Sequence, residues 1–590
     1  MKPLKLLTNI LLCLMLGVTS AAAEETEPVP PSESSVTEPG ELPEETEEQP
    51  SLEPQETGEE APAEISEETD GELSEEDDEE DIPKESNPEE EEKDPEAEED
   101  ALSEALNAKQ EEADPEEEKG YIVPEGFVLQ PKDREAKQAV LSHGMKDELE
   151  GMEEGKDYAE REVILYCDEK AYAETCAEIF HGTLVSYDLG IGVIELNEGE
   201  SLKNAVLASW TREDLPFIEP DYLVELDEPE YEEEDLSEGS SVLGYNLPKT
   251  KTWESTVYSL FDKPDPYLMD PTASTYQWFH EAVGSYAAWS AGMGKDDILV
   301  GVVDYSVNEN HEELAGKVSS EDIGCGYYLG TGHGTSVAGV IAAIANNGKG
   351  GAGVAPDVRI LSINIFKNTT TATTSNIVKA ILKAVECNVD VINFSVGSRK
   401  YSRVEEEAVD KAYENGIPFV AAAGNDGSNI QVFPSAYKNA IAVAASDRNG
   451  LRAYFSNYGP WITVSAPGVQ MRLPSSSWSD PSSRYTTTSG TSFAAPVVTG
   501  ALALYMSKMG KINGDEAVEI LSRSTTAAGS QGMGYGIISI EKMFEADTAG
   551  AEIHVFDRDG NEITSFVNPL EEGAYITLES RNPGDRDVLA

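Results

Sequence analysis

The sequence is poor in positive charge and in cysteine, and no long hydrophobic run follows its first 23 residues. Its 590 residues include 41 Lys and Arg against 114 Asp and Glu, a formal net charge of -73. Binding of nucleic-acid phosphates needs a basic surface, so this balance argues against a nucleic-acid binder. Five cysteines are too few for a disulfide framework in a chain of this length. Bridges within the pairs Cys167 and Cys176 or Cys325 and Cys387 stay open, but buried free thiols are the simpler interpretation.

The negative charge is concentrated near the amino terminus. Residues 24–120 hold 43 Asp and Glu and only 4 Lys, whereas residues 275–545 hold 25 acidic and 20 basic residues. The first of these segments is built from Glu, Pro, Ser and Thr, so it cannot bury enough apolar surface to offset its chain entropy. We interpret it as an extended, solvated spacer. Loose binding of calcium or of a cationic surface is the functional alternative.

Residues 1–23 have the pattern of a signal peptide. Lys2 and Lys5 precede the apolar run Leu6 to Val18, and small residues follow at Ala21 to Ala23. The run is shorter than the roughly 20 residues of a membrane-spanning helix, which disfavours an anchor. We therefore expect a secreted, extracellular protein with no stable membrane anchor.

Two ordered regions are predicted beyond the spacer. Residues 161–226 read as strand, helix, strand, strand, helix, strand, which is the pattern of a small ferredoxin-like α+β unit. Residues 275–545 alternate buried strands with helices, which predicts an α/β domain with a doubly wound, mostly parallel sheet and helices on both faces. We expect a linker or helical segment at 121–160, an acidic linker at 227–274 and a hairpin-like C-terminal tail at 546–590, around Asp559-Gly560.

Four polar residues of the larger domain fall at predicted strand ends or helix starts. Asp304 follows a strand, Asn425 lies in the loop after another, and His333 and Ser492 stand where helices begin. Functional groups of such a sheet collect at the carboxyl ends of its strands. A serine hydroxyl becomes a nucleophile when an imidazole takes its proton, and a carboxylate orients that imidazole. An amide then stabilises the oxyanion. The separate structural alternatives are helix caps for Asp304 and Ser492, a buried histidine for His333 and a turn residue for Asn425.

The blocks around these residues resemble the subtilisin-like serine protease family. They read Val-Val-Asp ending at Asp304, His-Gly-Thr-Ser-Val-Ala-Gly from His333, and Gly-Thr-Ser-Phe-Ala-Ala-Pro around Ser492. The chain order Asp, His, Ser is that of subtilisin. The resemblance covers about residues 276–545 and implies a secreted endopeptidase that needs no cofactor for its chemistry.

The resemblance also implies how substrate is held and how the enzyme matures. Ser395, Val396 and Gly397 are similar to the family's segment that pairs with the substrate backbone as an added strand. Residues 161–226 correspond to the family's propeptide, which assists folding and inhibits the enzyme until it is cut. The expected partners are therefore protein or peptide substrates and the chain's own propeptide. Cleavage anywhere from about Glu225 to Tyr276 fits the sequence.

Some residues depart from the family pattern. Tyr305 follows Asp304 where the family usually has Ser-Gly or Thr-Gly, so it could narrow the site or shift the turn. A structural calcium site could use Glu313 and Asn347, although Lys349 in the same loop argues against it. Two other functions stay open: a narrow-specificity maturation protease for one exported peptide, and a non-catalytic binding protein on a protease fold.

Overall fold

The computed structural model describes residues 120–226, 261–290, 292–476, 484–548, 551–556 and 575–580. The expected signal peptide, nearly all of the acidic spacer and residues 227–260 of the expected linker lie outside the described residues. No helix of the described part is long and apolar enough to cross a bilayer. Cys167, Cys176, Cys325 and Cys387 are all free thiols.

The N-terminal ordered unit is an α+β fold with the predicted element order. Its antiparallel sheet has the strand order β2-β3-β1-β4. Ser201 begins one of its helices as an N-cap, because its hydroxyl accepts from the amide of Asn204 at 3.4 Å. The elements are α1 (Asp133–Ser142), α2 (Met145–Gly151), β1 (Tyr158–Tyr166), α3 (Lys170–Ile179), β2 (Gly182–Asp188), β3 (Ile191–Leu196), α4 (Leu202–Thr211) and β4 (Glu219–Glu225).

Helices α1 and α2 pack on this unit and fix the loop that leads into β4. The buried ammonium of Lys137 donates to the carbonyl oxygens of Arg212 and Leu215, at 2.7 and 2.5 Å. The carboxylate of Asp133 accepts from the amide of Phe217 at 3.1 Å. These contacts join the segment before β1 to the segment before β4, so residues 120–226 share one core.

The larger domain is built on a nine-stranded sheet with the order β15-β16-β12-β11-β10-β9-β5-β7-β6. All neighbouring pairs are parallel except β15 with β16. Every residue of β9, β10 and β11 is buried, as expected of strands covered on both faces. The strands are β5 (Leu299–Asp304), β6 (Val318–Glu321), β7 (Arg359–Asn364), β9 (Val391–Phe394), β10 (Phe419–Ala422), β11 (Ala440–Ser446), β12 (Val464–Pro467), β15 (Thr525–Thr526) and β16 (Ile537–Ile538).

Helices cover both faces of this sheet and form a hydrophobic core on each. The core on one face includes α7 and α10, and the core on the other includes α8, α9 and the N-terminal unit. The doubly wound architecture predicted from the strand and helix alternation is therefore confirmed. The helices are α5 (Phe279–Val283), α6 (Ser285–Trp289), α7 (His333–Ala342), α8 (Thr374–Glu386), α9 (Arg403–Glu414), α10 (Thr491–Met509), α11 (Gly514–Arg523) and α12 (Ile540–Thr548).

Three short strand pairs complete the fold. Strand β8 (Thr371–Thr373) pairs antiparallel with β4, so it extends the sheet of the N-terminal unit. Strands β13 (Met471–Pro474) and β14 (Tyr485–Thr488) form a ribbon. Strands β17 (Ala551–Phe556) and β18 (Tyr575–Ser580) pair antiparallel in the tail. The expected turn at Asp559-Gly560 lies outside the described residues.

Candidate active site

Asp304 and His333 meet at the carboxyl end of β5. Asp304 is the last residue of that strand and His333 is the first residue of α7. The Nδ1 atom of His333 lies 2.9 and 2.8 Å from the two carboxylate oxygens of Asp304, and both side chains are almost fully buried. The amide of Tyr305 also donates to this carboxylate, at 2.7 Å. The carboxylate therefore fixes the orientation of the imidazole.

A glycine allows this close approach of helix and strand. A Cβ atom on Gly334 would collide with the carbonyl oxygen of Tyr305 and would lie 3.2 Å from Oδ1 of Asp304. Gly332 precedes the helix with φ of 90°, a left-handed conformation that costs glycine little. The Gly-His-Gly sequence thus lets α7 begin directly against the end of β5.

Ser492 is held at the start of α10 by a reciprocal pair of hydrogen bonds. Its hydroxyl donates to the carbonyl oxygen of Ser395 at 3.1 Å, and the hydroxyl of Ser395 donates to the carbonyl oxygen of Ser492 at 2.9 Å. The neighbouring ring of Phe493 lies 5.2 Å from the imidazole of His333. Helices α7 and α10, which begin at or next to His333 and Ser492, pack side by side.

The side-chain amide of Asn425 is oriented by Thr491. Its oxygen accepts from the amide of Thr491 at 2.9 Å and from the Thr491 hydroxyl at 3.0 Å. The amide of Gly424 donates to that hydroxyl at 3.1 Å. Because the oxygen of Asn425 is bound to Thr491, its NH₂ group is the part of the amide that can serve a ligand beside Ser492.

A cleft with a volume of about 180 Å³ adjoins this serine. One wall comes from the segment after β9 and the other from the segment after β10. Ser492 and Thr491 complete the lining. The cleft is lined by Ser395, Val396, Gly397, Ser398, Arg399, Ala422, Gly424, Asn425, Asp426, Val432, Thr491 and Ser492. The cleft thus brings together segment 395–397, which is expected to hold substrate, with Ser492 and Asn425, the expected nucleophile and oxyanion donor.

The aromatic ring of Tyr305 lies away from the cleft. It is fully buried, and it stacks on Phe366 with ring centroids 4.0 Å apart. Tyr328 contacts it edge-on at 5.7 Å. The tyrosine therefore fills the hydrophobic core, and it is not one of the residues that line the cleft. The sequence alone could not distinguish this packing from a narrowed site.

Glu313 and Asn347 are neighbours, but their arrangement does not fit a calcium ion. The amide nitrogen of Asn347 donates to Glu313 at 3.0 Å, and the hydroxyl of Tyr485 donates to its other oxygen at 2.7 Å. Calcium requires oxygen acceptors directed at the ion. Burial raises the pKa of Glu313 to about 7 despite these hydrogen bonds. The described residues contain no group of three or more His, Cys, Asp or Glu side chains that could hold a metal ion.

The loop that carries Asn347 is instead closed by a carboxylate from the N-terminal segment of the domain. Asp265 is fully buried, and it accepts from the amides of Asn346, Asn347 and Gly348 at 2.7, 2.9 and 2.9 Å. Phe261, four residues earlier, is also buried in the domain core. Residues 261–274 were expected to belong to a linker, and this contact was not predicted, because a single Asp in a polar segment carries no distinguishing pattern.

The other histidines of this region have structural roles. His280 is fully buried between the hydroxyl of Ser285 and the carbonyl of Ala352. Burial lowers its pKa to about 3, so the imidazole is neutral. His311 contacts the carbonyl of Arg484 at 2.7 Å. Neither lines the cleft.

Comparison with known proteins agrees with this geometry. Residues 295–536 match the model of the subtilase family, Peptidase_S8. The chain is 40% identical over 255 residues to subtilisin DY of Bacillus licheniformis, which covers 42% of this chain and 90% of the relative. It is 36% identical over 246 residues to thermitase of Thermoactinomyces vulgaris, which covers 40% of this chain and 85% of that relative.

A solved structure supports the fold over a longer stretch. Fervidolysin of Fervidobacterium pennivorans, a keratinolytic enzyme related to subtilisin, superposes with a TM-score of 0.55 at 22% identity. The match covers 72% of this chain and 68% of fervidolysin. At this identity it shows the fold alone. The family match and the sequence relatives show that the chain belongs to the subtilase family and is a subtilisin-like serine endopeptidase.

Proposed function

We propose that the chain is an exported precursor of a serine endopeptidase and that Asp304, His333 and Ser492 form its catalytic triad. Ser492 attacks the carbonyl carbon of the scissile peptide while His333 takes the hydroxyl proton. His333 then gives that proton to the leaving amine as the C–N bond breaks. Water hydrolyses the resulting acyl-enzyme by the same route. Asp304 stabilises the imidazolium that forms in each step.

The oxyanion of each tetrahedral intermediate is bound by two donors. One is the side-chain NH₂ of Asn425, and the other is the backbone amide of Ser492 at the beginning of α10. Both donors are fixed before substrate arrives, since Thr491 binds the Asn425 oxygen and Ser395 binds Ser492. Preorganised donors of this kind stabilise charge in the transition state without reorganisation. Segment 395–397 holds the substrate chain as an added strand.

The observation that carries this proposal is the buried contact between Asp304 and His333. A carboxylate that accepts from Nδ1 leaves Nε2 as the nitrogen that exchanges a proton with the serine. A histidine with a purely structural role, such as His280, is held by a hydroxyl and a carbonyl instead. The carboxylate partner therefore favours the catalytic role for His333.

The N-terminal unit acts as the propeptide and inhibitor in this proposal. Its last strand, β4, carries two buried carboxylates into the catalytic domain. Glu219 accepts from the amides of Arg403 and Val404, at 3.0 and 3.2 Å, and from the hydroxyl of Ser402. Asp221 accepts from the amide and hydroxyl of Ser375, at 2.8 and 2.7 Å.

These contacts place a carboxyl group at the start of two helices. Arg403 begins α9, and Ser375 lies in the first turn of α8. The first amides of a helix have no partner within the helix, so carboxyl oxygens placed there satisfy them. The pairing of β4 with β8 adds backbone hydrogen bonds between the N-terminal unit and the catalytic domain. The docked unit can therefore support folding of the catalytic domain and hinder entry of other chains.

Export and self-processing complete the proposal. Export is supported by the signal-like pattern of residues 1–23. Self-processing is supported by the docked N-terminal unit, whose last strand, β4, ends at Glu225 in its pairing with Thr371 of β8. Cleavage after the unit has folded would then release the mature enzyme.

Labelling of the active serine tests this proposal. The purified full-length chain is treated with a fluorophosphonate probe, beside Ser492→Ala and the matched surface control Ser522→Ala. We expect wild type and the Ser522 variant to be labelled and to mature, as read by mass spectrometry of the new N-terminus. We expect Ser492→Ala to stay unlabelled and at precursor length. Labelling of Ser492→Ala, or the absence of labelling in wild type, would contradict the assignment.

A further inference from the structure

The side chain that precedes the cleaved bond must enter the cleft beside Ser492. The attacked carbonyl has to reach the Ser492 hydroxyl and the Asn425 amide, and both groups line this cleft. The side chain of the same residue is only two bonds from that carbonyl carbon. The shape and charge of the cleft therefore decide which residue is accepted there.

Val432 lies between the two walls of the cleft. An ideal Cβ atom on Gly397 would lie 2.6 Å from Cγ1 of Val432, and one on Gly424 would lie 2.8 Å from its Cγ2. The two methyl groups thus fill the space that the missing side chains of both glycines leave. Val432 lines the cleft with only 6% of its surface exposed, so it forms an apolar floor.

The floor is fixed in position. The adjacent residue Phe433 exchanges two backbone hydrogen bonds with Ser398 of the first wall, at 2.9 and 2.7 Å. A β-branched side chain has few rotamers, and contact with a glycine on each side restricts Val432 further. A large substrate side chain therefore cannot push the valine aside without moving a wall.

The charged groups that line the cleft neutralise each other. Arg399 and Asp426 form an ion pair, and Asn457 donates to the second oxygen of Asp426 at 3.0 Å. No other charged residue lines the cleft among the described residues. The cleft thus offers no unbalanced charge to a basic or acidic substrate side chain.

We propose that Val432 determines specificity and that the enzyme prefers a short, uncharged residue such as alanine on the carbonyl side of the cut. This inference rests on the proposed function of Ser492. It names the substrate class as peptides with small residues at that position, and it predicts that aromatic residues are poor substrates. Shape and not charge is the basis of the selection.

Two peptides that differ only by Ala or Phe before the cut test this inference. The full chain is allowed to mature, and its active sites are counted with the fluorophosphonate probe before kcat/KM is measured. We expect wild type to prefer the Ala peptide at least tenfold, because one methylene in an apolar pocket changes kcat/KM by about 10- to 200-fold. Val432→Ala should raise the ratio of Phe to Ala cleavage at least tenfold. Val432→Thr, which keeps the branched shape, should stay within about threefold of wild type.

The outcomes separate this inference from the proposed function. Probe labelling with a wild-type preference for Phe would overturn the role of Val432 and leave the role of Ser492 intact. An unchanged ratio in labelled Val432→Ala would do the same. Absence of both labelling and cleavage in wild type would overturn the proposed function and, with it, this inference.

Discussion

Replacing Glu219 by Ala should undock the N-terminal unit from the catalytic domain. The change removes a buried carboxylate that accepts from Ser402, Arg403 and Val404 at the beginning of α9. Burial raises the pKa of Glu219 to about 8, so the docked carboxyl group is mostly protonated at neutral pH. Hydrogen bonds without a charged partner are each worth about 0.5–1.5 kcal/mol. We expect docking to weaken by about 2–3 kcal/mol, roughly 30- to 150-fold.

Hydrogen exchange in an uncut precursor measures this loss directly. In the Ser492→Ala background the amides of residues 371–375 are covered by the docked strand, through the β4–β8 pairing and the bond from Ser375 to Asp221. These amides exchange when the unit opens, so their rate reports the opening free energy. Glu219→Ala should accelerate their exchange by the stated factor. The readout lies on α8 and β8, away from the changed contact on α9.

The matched control is Glu225→Ala. Glu225 is the same type of residue in the same strand, but its side chain is exposed. Its removal should change the exchange of residues 371–375 by less than about threefold, the size expected for a surface substitution. If Glu219→Ala also stayed within threefold, the carboxylate would not contribute to docking, and the argument from helix N-termini would be wrong.

Three further predictions follow from the site and the interface. Asn425→Ala should lower kcat by about 10²–10³-fold, the effect known for loss of one oxyanion donor in subtilisin, with probe labelling retained but slower. Docking of the N-terminal unit on the catalytic domain should be strongest below pH 4 and should weaken as the pH rises to about 8. Burial raises the docked-state pKa of Glu219 to about 8 and that of Asp221 to about 6, so both groups bind protons more tightly when docked. Co-elution of the cut propeptide with the enzyme at several pH values checks this; stronger retention at pH 8 than at pH 5 would refute it. Asp265→Asn should lower the melting temperature by about 2–8 °C through loss of roughly 1–2 kcal/mol of stability. EDTA should change the melting temperature of wild type by less than about 1 °C. A higher melting temperature in added calcium would contradict the argument that Glu313 and Asn347 do not fit a calcium ion.

The sheet could be predicted from the sequence for a physical reason. Strands buried on both faces read as continuous apolar runs, so β5, β9, β10 and β11 were recognisable. The residues after such strands converge at one edge of a parallel sheet, so Asp304 and Asn425 were both expected at that edge. The glycines on both sides of His333 stand where the backbone approaches other segments closely.

Contacts between distant segments were not predictable in the same way. Nothing in the pattern shows that Asp265 reaches the amides of residues 346–348, or that Val432 fills the gap between Gly397 and Gly424. Strand β4 spans Glu219–Glu225. Its position is fixed by β8 and by two helix starts, all more than 140 residues further along the chain.

The substrate cleft and the docking surface for the N-terminal unit share one short segment. Residues 395–399 line the cleft, and the next residue, Lys400, binds the carbonyl of Leu223 in β4 at 3.3 Å and Asp157 at 3.2 Å. Ser402 then donates to Glu219 and caps α9. Docking of β4 therefore orders the backbone that continues directly into one wall of the cleft. In the propeptide role proposed above, a single set of contacts would help the wall to fold and keep other chains from it, because the N-terminal unit binds at the edge of that wall.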